Sequence, residues 1–182
     1  LRGCMGSVFF NQGQVCCAGT RLFIEKPIYE EFVSKLTDKV KTIKLGPGLS
    51  EETQMGPLVS DEQLKRVTGY LDIGKKEGAK ALCGGDRAKD GDLSKGYFVE
   101  PTVFSNVNNK MRIAQEEIFG PVVSAIPFKD VNDAVFQGNE TTYGLAAGVW
   151  TNNLKKAHAV AKALKAGTVW VNCYNCFDPC TP

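Results

Sequence analysis

Apolar positions recur along this chain with two periods. From Ile28 to Lys44 they fall every three or four residues (Ile28, Phe32, Leu36, Val40, Ile43), the spacing of one helix face. Pro27 opens that helix and Gly46-Pro47-Gly48 ends it. Leu64, Val67 and Leu71 predict a second helix behind Ser60, with Gln63 completing a capping box. Helices are also expected from the N-terminus to about Asn11, over Asn109 to Glu116, over Val131 to Gly138 with Asp130 as cap, and over Leu154 to Leu164. Runs rich in Val, Ile and Phe predict strands at Arg21 to Glu25, Ala79 to Cys83, Pro121 to Phe128, Leu145 to Trp150 and Thr168 to Asn172. Tyr97 to Phe104 is strand-like around Glu100-Pro101, and Arg87 to Lys95 reads as a polar, exposed loop. The alternation predicts an α/β fold, a mostly parallel β-sheet covered by helices, in one domain over residues 1–182.

Composition narrows the classes. The 182 residues are 43% hydrophobic and 23% charged, enough for one medium domain with its own core. A net charge of +2 gives no reason to invoke nucleic acid or an anionic membrane as partner. No apolar run is long enough for a transmembrane helix. Seven cysteines, an odd number with Cys16 and Cys17 adjacent, do not read as a secreted disulfide framework. Free thiols in a reducing compartment, the cytoplasm, are expected. Cys173-x-x-Cys176-x-x-x-Cys180 brings three thiols close together, but a structural zinc site wants four ligands, so no metal is expected. The single histidine, His158, sits in a helical pattern, and nothing near Cys16 supplies the base of a cysteine hydrolase. The N-terminus is neither a signal peptide nor a start methionine, and the C-terminus is abrupt. Both are expected to be cuts inside a longer chain.

The informative stretch runs from Phe9 to Arg21. It reads as a helix end, a sharp turn at Gly13, and a thiol presented before a strand. Such a turn can aim a thiolate and backbone N–H groups into one cleft, which suits covalent catalysis on a carbonyl. A buried cysteine that serves only as a small hydrophobe fits the same residues. The run closely resembles the cysteine signature of the aldehyde dehydrogenase superfamily, matched by Phe9 or Phe10, Asn11, Gly13, Gln14, Cys16, Ala18 and Arg21. A second run, Gln115-Glu116-Glu117-Ile118-Phe119-Gly120-Pro121-Val122, is similar to another motif of that family. Further stretches, such as Gly56-Pro57-Leu58-Val59, Gly96 to Thr102, Tyr143 to Val149 and Gly167 to Asn172, extend the resemblance over essentially the whole chain.

The resemblance implies an NAD(P)+-dependent oxidation of aldehydes to carboxylic acids. Cys16 would attack the aldehyde, giving a thiohemiacetal and then a thioester, with its own N–H among the oxyanion donors. Glu117 would hold the nicotinamide ribose hydroxyls and Phe119 would pack near that moiety, so the cofactor is NAD or NADP. Phe10, Val15, Cys17 and Phe177 would line the aldehyde pocket. The resemblance also implies what is missing. The general-base Glu of a Glu-Leu-Gly-Gly motif does not precede Cys16, and neither does the oxyanion Asn. No glycine-rich dinucleotide fingerprint is present. The cofactor-binding domain is therefore expected to be absent, the isolated chain to be inactive or nearly so, and a homo-oligomer to belong to the full-length enzyme. The alternative is a non-catalytic scaffold that associates through exposed edges.

Overall fold

The computed structural model describes residues 1–178 and Cys180. Six helices and six strands follow one another in the expected alternation: α1 (Arg2–Phe9), β1 (Arg21–Glu25), α2 (Tyr29–Val40), α3 (Asp61–Lys76), β2 (Lys80–Cys83), β3 (Thr102–Ser105), α4 (Arg112–Gln115), β4 (Val122–Phe128), α5 (Val131–Asn139), β5 (Ala146–Val149), α6 (Leu154–Ala163) and β6 (Thr168–Val171). Ser60, Asp130 and Asn153 cap α3, α5 and α6 by accepting from the N–H three residues on.

The main sheet has the order β1-β4-β3-β2. β4 lies parallel to both neighbours, in register Arg21↔Ser124 on one side and Thr102↔Val122 on the other. Its side chains alternate between two cores. Val122 and Ile126 join Leu64, Val67, Leu71 and Phe104 beneath α3. Val123 and Ala125 join Val8, Val33, Leu36 and Val40 beneath α1 and α2. Covered on both faces, β4 reads in sequence as a nearly continuous apolar run. Each of the Val, Leu, Ile and Phe side chains among them contributes about 1.5–3 kcal/mol when fully buried.

The expected α/β fold with a mostly parallel sheet is what the structure has, its described strands divided between the main sheet and a separate parallel pair, β5 and β6. Several finer points differ from expectation. β2 runs antiparallel to the adjacent β3, because the connection between them holds no α-helix to carry the chain over the sheet and folds back on itself, Arg87 bridging to Val99. The Arg87 to Lys95 loop is mostly exposed, as expected, and is ordered by its own contacts. Arg87 donates to the carbonyls of Ser94 and Gly96, Ala88 is buried, and Gly91–Lys95 forms a 3-10 turn. Helix α2 begins one residue after Ile28 and stops at Val40, short of Lys44. Beyond it Lys44 pairs with Gln54 and Met55 instead. α1 ends at Phe9, where Asn11 and Gln12 turn left-handed at φ 49° and 58°. The capping box is half made: Ser60 accepts from Gln63, but the Gln63 side chain goes elsewhere.

Candidate active site

The thiol loop is a set of local turns. The Gln14 N–H donates to the Asn11 carbonyl, Asn11 Nδ2 donates back to the Gln14 carbonyl at 3.1 Å, and the Ala18 N–H closes a turn on Val15. Gln14 Oε1 accepts from the Val59 N–H at 3.1 Å, anchoring the loop to the segment before α3. These bonds leave Cys16 exposed at the tip. Among the described residues no acceptor takes the Cys16 N–H, so a donor and a thiol stand together on one exposed residue.

Gly13 is where the loop meets the second motif. At its φ of 69° a Cβ would lie 2.1 Å from the Gly120 carbonyl oxygen, so only glycine fits. The second motif is held in turn by α3. Gln63 Nε2 donates to the carbonyls of Ile118 at 3.1 Å and Phe119 at 2.8 Å, and Arg66 donates to the Glu117 carbonyl at 2.5 Å. Phe119 sits at φ 58°, a strained angle for a bulky residue, and this bonding on both sides holds it there.

The two adjacent glutamates differ in environment. Glu116 receives Arg112 in a two-point contact at 2.7 and 2.8 Å, and Tyr70 Oη at 2.8 Å. Those partners, Arg112 first, pull its carboxyl down to about 2. The exposed Glu117 carboxylate has no partner among the described residues and is free to take a ligand's hydroxyls.

A cleft of about 650 Å3 lies between the two sheets. Cys16, Cys17, Val15, Glu117 and Phe119 all border it. Phe10 and Phe177 do not; they stand 65% and 74% exposed outside it, Phe177 edge-on to Trp170 with ring centroids 5.4 Å apart. Both strands that flank the cleft present free edges to it. Thr20 accepts from Ser124, which commits Leu22 and Ile24 to β4 and turns the N–H and C=O of Arg21, Phe23 and Glu25 away from it. By the same logic Leu145 and Val149 bond β6, leaving Ala146 and Gly148 unpaired.

Three features of the site were not read from the sequence. Arg21, matched only as a motif letter, donates to Asn109 Oδ1 and to the Gln137 and Gly138 carbonyls at 2.9–3.0 Å, closing the C-terminal end of α5. Burial lowers its proton affinity, and Glu140 opposes that. The second feature is the turn after β6. Tyr174 Oη donates to the Cys17 carbonyl at 2.7 Å, and the Cys17 thiol donates to Asn175 Oδ1 at 3.3 Å. Burial first, then Cys16, raises Cys17 above the ordinary thiol value, and burial pushes the Tyr174 phenol up to about 12. The third is Gln63, visible in the sequence only as a cap. Contacts across 55 to 158 residues leave no local periodicity.

The model of the aldehyde dehydrogenase family matches residues 1–182. The chain belongs to the aldehyde dehydrogenase family. It is 48% identical over 97% of its length to the human mitochondrial aldehyde dehydrogenase, covering 33% of that protein. It is 52% identical over 92% of its length to the cytosolic 1 aldehyde dehydrogenase of Mus musculus, covering 32% of it. The betaine aldehyde dehydrogenase of Staphylococcus aureus, solved in complex with NAD+, superposes at a TM-score of 0.97 with 41% identity, over all of this chain and 37% of that one. An NAD+ complex of an aldehyde dehydrogenase from Bacillus cereus gives 0.95 with 48% identity, over all of this chain and 36% of that one. The chain thus spans about a third of the length of the curated relatives it matches. Among the described residues no helix is long and apolar enough to cross a membrane, and no group of three or more His, Cys, Asp or Glu side chains is placed to hold a metal.

Proposed function

We propose that residues 1–182 are the thiol-bearing catalytic domain of an NAD(P)+-dependent aldehyde dehydrogenase, with Cys16 as nucleophile. The observation that carries this reading is an exposed thiol, with its own N–H free, bordering the same cleft as the unpartnered Glu117 carboxylate. The Cys16 sulfur attacks the aldehyde carbon, and the carbonyl electron pair moves to oxygen, where the Cys16 N–H receives it. Glu117 suits two ribose hydroxyls, which a carboxylate accepts together, and Phe119 offers an apolar wall beside them. NAD(P)+, when bound, supplies a hydride acceptor. Cys16 then carries the acyl group as a thioester until water releases the carboxylic acid. Val15 and Cys17 flank the thiol and line its side of the cleft. All seven cysteines are free thiols, which suits a reducing compartment, and the cytoplasm is our proposed location.

No Glu-Leu-Gly-Gly run lies in the 182 residues to activate the water. Alone, the chain is expected to turn over little aldehyde in an NAD(P)+ reduction assay, and robust turnover would contradict that. Acyl transfer needs no cofactor and tests the nucleophile directly. With p-nitrophenyl acetate we expect one burst of nitrophenolate and an acetyl group on Cys16 by peptide mapping. A burst that survives Cys16→Ala overturns the assignment. One observation favours a second reading, a scaffold that pairs with other chains as a homo-oligomer: the free edges of β1 and β5. Sedimentation of the chain as a concentration-independent monomer would remove it.

A further inference from the structure

The turn after β6 carries a thiol pair that the proposed chemistry does not use. Cys176 is exposed and Cys173 is partly buried beside it. The Cys176 thiol donates to the Tyr174 carbonyl at 3.7 Å, inside the two-residue segment that separates it from Cys173. The chain bends sharply here: Asn172 and Asn175 both turn left-handed, at φ 56° and 55°, and Trp170 Nε1 donates to the Cys176 carbonyl at 3.0 Å. Burial first, then Cys176, raises the Cys173 thiol above its ordinary value, which leaves the exposed Cys176 as the sulfur that meets a solute first. The residues enclosed by the pair are those that touch the thiol loop, through Tyr174 on the Cys17 carbonyl and Asn175 on the Cys17 thiol.

We infer that Cys173 and Cys176 form an oxidation site, closed to a disulfide by hydrogen peroxide, whose state is transmitted to Cys17 through Asn175. The Cys176 sulfur attacks one peroxide oxygen, the O–O bond breaks, and the sulfur becomes a sulfenic acid as the first water leaves. The Cys173 sulfur then attacks that sulfur. The S–S bond forms, the S–O bond breaks, and the second water carries off the remaining thiol proton. Two thiols lose two electrons to one peroxide, and a dithiol restores them by exchange. Closing the small ring moves the backbone of Tyr174 and Asn175, so Cys17 loses its acceptor. In a reducing compartment such a bridge is transient and acts as a sensor. The inference stands whether or not Cys16 attacks aldehydes.

The test is a peptide map of the Cys180→Ser chain after one equivalent of hydrogen peroxide and alkylation of the free thiols. We expect the peptide 166–182 to lose two hydrogens and take no alkyl group, to regain two alkylatable thiols with dithiothreitol, and to stay unbridged in Cys176→Ser. Cys17 should alkylate several-fold faster in the bridged form. The inference is overturned if Cys173 and Cys176 stay alkylatable while Cys16 or Cys17 is oxidised, if the peptide gains oxygen without bridging, or if bridging leaves the Cys17 rate unchanged.

Discussion

At Gly13 a single missing methyl group holds the thiol loop against the second motif. Gly13→Ala would force a left-handed alanine, which costs roughly 1–2 kcal/mol, and a clash with the Gly120 carbonyl besides. We expect a loss above about 2 kcal/mol in urea unfolding, with Cys16 moved from its place. The cysteines themselves should separate by burial. Cys4 is buried in the core beneath α1, where desolvation pushes its thiol up to about 12, while Cys16 is exposed. Under a limiting thiol reagent at pH 8, Cys16 should label in the native state and Cys4 only after unfolding. Labelling of Cys4 in the native state would contradict this core.

The Glu116–Arg112–Tyr70 contact adds a pH dependence whose sign follows from the lowered carboxyl. A group held below its unfolded value stabilises fully above that value and loses the contribution as pH falls through the folded one. Here the window runs from about 4.5 down to about 2. The pair is solvent-exposed and screened, so the effect is no more than about 1 kcal/mol. Glu116→Gln should flatten the stability profile within that window and leave it unchanged above; an identical profile in both proteins would dismiss the contact.

Among the elements, Arg21 shows what periodicity cannot supply. The strand from Arg21 to Glu25 is legible from its apolar pattern, and its bounds match the structure. The role of its first side chain is not, because it depends on Asn109 and on the end of α5. Arg21→Ala should destabilise by about 2 kcal/mol, since charged hydrogen bonds are lost and the carbonyls of α5 are left open. Hydrogen exchange should rise first at α5; uniform exchange would show that Arg21 does not hold that helix. The same limit explains the other differences. Helix and strand identity follows from local spacing, so each predicted helix and strand exists in the structure, with ends moved by a few residues. Strand partners are chosen across the chain. Neither the antiparallel β2 nor the separation of β5 and β6 from the main sheet leaves a trace in the alternation of apolar residues. The cysteine and glutamate motifs were legible as motifs. Their physical junction, Gly13 on Gly120, needed coordinates.

For the whole molecule, the cleft between the sheets is the feature to which the rest contributes. The main sheet presents the thiol loop at one edge, α3 fixes the Glu117–Phe119 turn, and the turn after β6 braces Cys17 from the other sheet. The proposed chemistry therefore depends on all three parts keeping their places around one space. The most direct measurement is carbon-13 NMR of the chain with a carbonyl-labelled aldehyde and no cofactor. A tetrahedral carbon resonance, saturating at one per chain, lost in Cys16→Ser and kept in Cys17→Ser, is the predicted result. An adduct that survives Cys16→Ser, or that disappears only with Cys17, would contradict the account.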